Sequence, residues 1–441
     1  MRVIKFKVNT HHYRKMKKLF IIIPALMLGL AAMAQQSRDD FKRDINLSAS
    51  NYVAYQGPQK ALTPAPKGYK PFYISHYGRH GSRYLIGTSD YDRPYNMLLK
   101  AQKLGMLTAK GEETLDKLGK IREDAWKRDG ELTLRGAEQH RGIAKRMYER
   151  FPEVFKGDVR VDAKSTIVIR CILSMENALQ QLKAMNPQLD IRHDASEHDM
   201  WYMNFDDKKL FSKRMPKEAK EAYDAFSKKH ENYEKTMRKI FNNETYWRDS
   251  IDASWLGDRL FKLASNMQSM ELRRDISLYD LFDNDQIYDF WLRNNAWWYI
   301  NYGPSPLNGG TQPYSQRRLL NMIIHEADSC LKLKAPGATL RYGHDTMVMP
   351  LTCLLNINGM GKQIADLEQL DDEGWYNYRI FPMACNLQFV FYRKAGSEDI
   401  IFKLLDNEDE ATLPIKTDIA PYYHWNDFKV YCQQILSKYK E

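Results

Sequence analysis

Short apolar runs and helical periodicity alternate along much of this chain, and the alternation predicts an α/β protein. Residues 35–69 read as an irregular lead-in, because Pro58, Pro64, Pro66 and Gly68 interrupt any regular spacing. A strand is predicted over 70–76, from the run Pro71-Phe72-Tyr73-Ile74-Ser75. Over 92–126 the residues Leu98, Leu99, Met106, Leu115, Leu118 and Ile121 recur at helical spacing. Thr133 is placed to cap a helix from about Leu134 to Arg150, which Phe151-Pro152 stops. Val159, Val161 and the run Ile167 to Ile169 predict strand, followed by a helix near Ser174 to Met185.

From about 186 to 335 the character changes. Charged and aromatic residues dominate, and Leu260, Phe261, Leu263 and Met267 recur at helical spacing, which predicts a mostly helical insertion walling a pocket. Strands return at Ala338–His344, Leu387–Arg393 and Ile400–Leu405. The expected architecture is a three-layer core with a mainly parallel sheet flanked by helices. Residues 35–185 and 336–441 would form that core, and 186–335 the insertion. In such βα order a ligand binds at the carboxyl ends of the strands.

The first 34 residues change the charge picture. Lys15, Lys17 and Lys18 precede an apolar stretch from Leu19 to Ala32, and Ala32-Met33-Ala34 is a small-x-small cleavage site. That pattern predicts a secretory signal peptide, cut near Ala34, with Met16 as an alternative start. The apolar stretch is short for a membrane span, and no cysteine stands at the cleavage site for a lipid anchor. The expected product is exported, to the periplasm or the medium, without a stable membrane anchor. The net charge of +10 includes seven Lys/Arg in this leader, which has no Asp or Glu, so the remainder is near balance. This argues against a nucleic-acid partner and for one concentrated basic pocket. The five cysteines are too few and scattered for a disulfide scaffold, and their odd number leaves at least one unpaired within a monomer. No zinc spacing is present, and neither a metal nor another cofactor is expected.

The chemistry concentrates in three places. Arg79-His80-Gly81-Ser82-Arg83 ends the first strand, with an imidazole between two guanidiniums and a glycine that lets backbone approach a ligand closely. Alone, the stretch also fits a surface basic loop. A second apolar run, Ser165 to Ile169, ends in Arg170, and Leu340-Arg341-Tyr342-Gly343-His344-Asp345-Thr346 reads as a strand ending in a histidine–aspartate pair. Together these supply phosphoryl transfer without a metal. His80 would be the nucleophile and would form a phosphohistidine. Arg79, Arg83 and Arg170 would clamp phosphate oxygens, and His344 would complete the cradle. Asp345 would protonate the leaving alkoxide, which requires a raised pKa or an acidic medium.

These motifs resemble the histidine phosphatase superfamily, in its acid phosphatase and phytase branch, and within it the multiple inositol polyphosphate phosphatases. The resemblance covers Arg79 to Tyr84, Leu132 to Pro152, the pair Arg170-Cys171, Leu340 to Leu351 and Asn386 to Tyr392. Leu85 stands where the family motif usually has proline, and His344-Asp345-Thr346 replaces the usual His-Ala-Glu of the inositol polyphosphate enzymes. The histidine–aspartate form is similar to bacterial phytases and acid phosphatases.

The resemblance implies a metal-independent phosphomonoesterase acting on phytate and lower inositol phosphates. Alternatives are a broad acid phosphatase for sugar phosphates or nucleotides, and a catalytically weak phosphate-ester binding protein. Other constellations read as structure. His193-Asp194 and His198-Asp199 match no metal motif and are expected in a solvated loop. Trp297-Trp298 reads as helix packing, and family likeness makes Tyr302-Gly303 a pocket-side turn. The charge-rich run Asp206 to Lys220 is expected as a solvated face.

Overall fold

A computed structural model describes residues 36–439, so the leader predicted over 1–34 lies outside the described residues. Eight strands form one sheet in the order β3-β2-β4-β1-β5-β6-β7, with β8 pairing β6. They are β1 Tyr69–Arg79, β2 Arg160–Ser165, β3 Asp190–Asp194, β4 Gly337–Gly343, β5 Asn386–Lys394, β6 Ile401–Asp406, β7 Asp409–Glu410 and β8 Tyr422–His424. The four strands from β3 to β1 run parallel, while β5 to β8 are added antiparallel. Both faces are covered, as the near-continuous apolar runs require. Along β1, Ile74 faces the helices Leu134–Arg150 and Ile169–Met185, with Met147 and Leu179 packed beside it. Tyr73 and Tyr77 point into the larger core, which continues through Leu260, Phe261 and Trp291 of the helical region.

Several predicted elements differ in detail. The lead-in is not wholly irregular: Gln36–Arg43 is a helix and Ile45–Tyr52 a 3₁₀ turn, whose first residues Asp44 caps by accepting from the Asn46 amide at 3.0 Å. The periodic segment 92–126 is two helices, Ser89–Lys103 and Ala109–Asp124. They are parted at Gly105, whose φ of +68° suits glycine, and Thr108 caps the second. Ile167 to Ile169 is not strand. β2 pairs with β4 only as far as Ser165↔Tyr342, and the helix starts at Ile169. Ile167 and Ile169 are 49% and 68% exposed, so burial never held them in a sheet. Arg170 therefore stands in the first turn of a helix and does not end a strand. Within 186–335, β3 belongs to the sheet and the helices follow it. Thr133 does cap Leu134–Arg150, accepting from the Gly136 amide at 3.3 Å.

Candidate active site

The sheet brings the two histidine motifs together through its register. Arg79 of β1 lies opposite Gly343 of the parallel neighbour β4, so His80 and His344 leave adjacent strands at the same level. The His80 amide donates to the Gly343 carbonyl at 2.9 Å, and the two imidazoles lie 5.7 Å apart at 72°. This is the carboxyl end of the parallel half of the sheet, where loops rather than ladder partners surround a ligand. β2 contributes next: Thr166 follows its last residue and contacts His344 Nε2 through Oγ1 at 3.2 Å.

His80 Nδ1 lies 2.9 Å from the Gly81 carbonyl oxygen. A carbonyl only accepts, so Nδ1 carries the proton and the Nε2 lone pair is free. Burial, then the Arg79, Arg170 and Arg83 guanidiniums, push His80 well below the usual histidine range. The imidazole stays a free base in acid. Burial followed by the Arg170 charge likewise pushes His344 down to about 4.

The loop holding His80 is fixed by a glycine pair. A Cβ on Gly81 would stand 2.5 Å from the Gly136 carbonyl oxygen, and one on Gly136 would stand 2.2 Å from the Ser82 carbonyl oxygen. The glycine of the motif thus admits the close approach of a helix. Gly81 and Ser82 amides are then held by Ser174 Oγ at 3.1 Å and Gln139 Oε1 at 2.8 Å.

Three guanidiniums converge on this loop. Arg79 is fully buried; Nη1 donates to the Asn51 and Phe381 carbonyls at 2.6 and 2.9 Å, and Nη2 lies 2.7 Å from Asp345 Oδ2. Arg83 donates to the Tyr84 carbonyl at 2.9 Å and sits 5.5 Å from the Tyr52 ring. Arg170 reaches in from its helix, beside Gly130. The buried Nε atoms of all three have no hydrogen-bond partner among the described residues. Asp345 is the carboxylate paired with this group, so the buried charge is in excess by about two and suits a dianion.

Of the two routes to a protonated Asp345, an acidic medium or a raised pKa, the resting site does not supply the second. Burial pushes its carboxyl up, but the Arg79 charge, the hydrogen bond from Asn51 Nδ2 at 3.1 Å and the Arg83 charge together bring it below the usual range. The resting carboxyl is ionised. It also stands at the first turn of the helix Asp345–Leu354, where the dipole favours its charge.

Sequence reasoning missed the residues that arrive from elsewhere. Asn51 and Tyr52 come from the 3₁₀ turn, and Cys171 packs its sulfur 3.8 Å from His344 Nε2 and 3.3 Å from the Gly343 oxygen. Only Cys171 had a signal, as the neighbour of Arg170. Beside Asn51 and Tyr52 a cavity of about 510 Å³ opens toward Arg259, Lys262, Arg293 and Trp297.

The remaining candidates scatter. His193 lies on edge strand β3 and contacts Glu176 at 2.8 Å, while Asp199 is buried and paired with Lys164 at 3.0 Å, so neither is in a solvated loop. Among the described residues no group of three or more His, Cys, Asp or Glu is placed to hold a metal ion. The run 206–220 is not wholly solvated either, since Asp207 is buried and paired with Arg317 at 2.5 Å.

The profile of the histidine phosphatase superfamily (branch 2) matches residues 78–407, from the end of β1 to the turn after β6. The chain belongs to that superfamily. It is accordingly a phosphoric monoester hydrolase by family. Among solved structures, the Bifidobacterium longum multiple inositol polyphosphate phosphatase in complex with phosphate is similar, with a TM-score of 0.76 and 18% identity over 88% of this chain and 98% of that one. The same enzyme with inositol hexasulfate gives 0.72 and 19%, over 87% and 96%. The phytase from D. castellii gives 0.66 and 13%, over 89% and 85%. No curated protein matches the chain. Among the described residues, no helix is long and apolar enough to cross a membrane.

Proposed function

We propose that this histidine phosphatase is exported and hydrolyses phosphate monoesters of polyanionic alcohols, inositol polyphosphates first, through a phosphohistidine on His80 and without a metal. The observation that carries the reading is the His80 imidazole, tied through Nδ1 and flanked by three guanidiniums, with Asp345 across the cradle. His80 Nε2 attacks phosphorus, the ester P–O bond breaks, and the leaving oxygen takes a proton from Asp345. Water then attacks the phosphohistidine while the Asp345 carboxylate takes its proton, the N–P bond breaks, and inorganic phosphate leaves. Arg79, Arg83, Arg170 and His344 hold the non-bridging oxygens throughout, where charge gathers. Four cationic or donor groups supply the stabilisation a metal would otherwise give.

Asp345 must be protonated for the first step. An incoming phosphate draws on the Arg79 charge that holds the carboxyl ionised, and a monoester monoanion, with a second pKa of about 6, brings the proton. Activity is therefore expected to be highest in mild acid. The inositol preference is supported by the family, by the likeness in fold to a multiple inositol polyphosphate phosphatase, and by a cavity of about 510 Å³ beside the site, whose cations Arg259, Lys262 and Arg293 are each paired with Asp90 or Asp258. The test is phosphate release from phytate by the exported chain, at mildly acidic pH with a chelator present. Release that His80→Ala abolishes is the expected result. Release that survives His80→Ala, or that the chelator stops, would overturn the reading.

A further inference from the structure

Among the described residues Arg214 forms no close ion pair. Its guanidinium lies 3.3 Å from the centre of the Phe211 ring and 4.2 Å from that of Tyr302, and its buried Nε has no hydrogen-bond partner among the described residues. Asp206 acts on it without pairing. Arg317, which also lies near an aromatic ring, is by contrast paired with Asp207 at 2.5 Å. Two aromatic faces fix the plane of the Arg214 fork, and among the groups acting on its charge the Tyr302 hydroxyl is the one side-chain hydrogen-bond partner.

Its place in the fold is on the proton-donor side of the site. Arg79 donates to the Phe381 carbonyl; the Phe381 ring packs on Trp298 at 4.8 Å, Trp298 on Tyr302 at 5.1 Å, and Tyr302 under Arg214. A second route agrees. Gln316 donates to the carbonyl of Thr346, next to Asp345, and Gln312, in the same turn, donates to that of Leu210, next to Phe211. Burial raises the Tyr302 phenol, the Arg214 charge opposes it, and the Asp345 carboxylate adds a smaller raise, as expected if Tyr302 and Asp345 face one space. Asp345 serves the ester's leaving oxygen, so whatever lies beyond it touches the leaving alcohol.

We propose that Arg214, held flat between Phe211 and Tyr302, binds a second anionic group carried on the leaving alcohol, and so selects polyanionic esters over simple monoesters. The inference rests on the phosphomonoesterase reading and adds to it a specificity residue. A planar fork matches phosphate or sulfate oxygens in pairs, and its stacked posture is already set before the ligand arrives.

The test measures binding, so it does not depend on turnover. The full chain, wild type and Arg214→Gln, is titrated calorimetrically with inositol hexasulfate and with inorganic phosphate at mildly acidic pH. Loss of one charge-assisted contact is expected to weaken the hexasulfate by at least about tenfold while phosphate, confined to the catalytic cradle, changes by less than about twofold. Equal weakening of both ligands, or no weakening of the hexasulfate, would overturn the proposal. Arg214→Lys keeps the charge without the flat fork. It is expected to weaken the hexasulfate relative to phosphate by less than the Gln variant, and it carries the comparison if that variant does not fold; an unchanged ratio in Arg214→Lys then overturns the proposal. Failure of the wild type to release phosphate from any ester would count against the hydrolytic reading and leave this binding comparison standing.

Discussion

At His80, one hydrogen bond and three neighbouring charges act in the same direction. The Gly81 carbonyl holds the Nδ1 proton, and burial with the surrounding guanidiniums keeps the ring neutral, so Nε2 is available at the pH where a monoester monoanion exists. Asp345 is the counterpart, and its ionised resting state makes it sensitive to what binds Arg79. Asp345→Asn should therefore slow alkyl phosphates, whose leaving oxygen needs a proton, by roughly 10²–10⁴-fold. Aryl phosphates, whose leaving groups are stable as anions, should lose about tenfold or less. Comparing kcat/KM for the two ester classes checks this, and equal losses would remove Asp345 from the role of proton donor. His80 and His344 were legible in the sequence because each sits inside a dense local motif. Asn51 was not, since a single asparagine in an aperiodic segment takes its position from tertiary packing alone. The protonation state of Asp345 was also out of reach, because a sequence does not show that Arg79 will lie 2.7 Å from it.

The elements act by placing loop ends. β1 and β4 deliver both histidines because they are parallel neighbours in register, and the helix Leu134–Arg150 locks the loop between them through the Gly81–Gly136 contact. Gly136→Ala puts a methyl group on the Ser82 carbonyl without touching a ligand. It should lower stability by about 1–3 kcal/mol and reduce kcat by displacing His80. Thermal melting and initial rates measured together check both effects; full activity would show that the glycine contact does not set the loop. Strand ends were legible where burial and sequence agree, as along β1 and β4. The Ile167 to Ile169 run misled because its β-branched residues are exposed, and exposure is decided by the turn that follows Ser165. The glycine of the motif was legible as a requirement for close approach, but the partner in that approach was visible only in the fold.

Across the whole molecule, the buried histidines set the fold's response to acid. Burial pushes His76 and His140 down to about 3 and His344 to about 4, against 6.5 for the free side chain. Through these three histidines the unfolded chain takes up protons below pH 6.5 that the folded chain refuses, so their contribution rises with pH between about 3 and 6.5; Asp406, which burial pushes up to about 7, works against them, and the three histidines outweigh it. The melting temperature of the ligand-free protein is expected to fall steadily from pH 7 to pH 4, and His140→Gln should flatten the slope. A flat profile in the wild type would mean that the buried histidines protonate within the fold. The covalent intermediate on His80 remains the claim on which the rest depends. Its most direct test is to mix the protein with a rapidly cleaved aryl phosphate, quench in alkali, where phosphohistidine survives, and locate the added phosphoryl group by peptide mass spectrometry. The account predicts phosphorylation at Nε2 of His80, absent in His80→Ala. A burst of released alcohol with no modified histidine, or with the phosphoryl group on another residue, would contradict it.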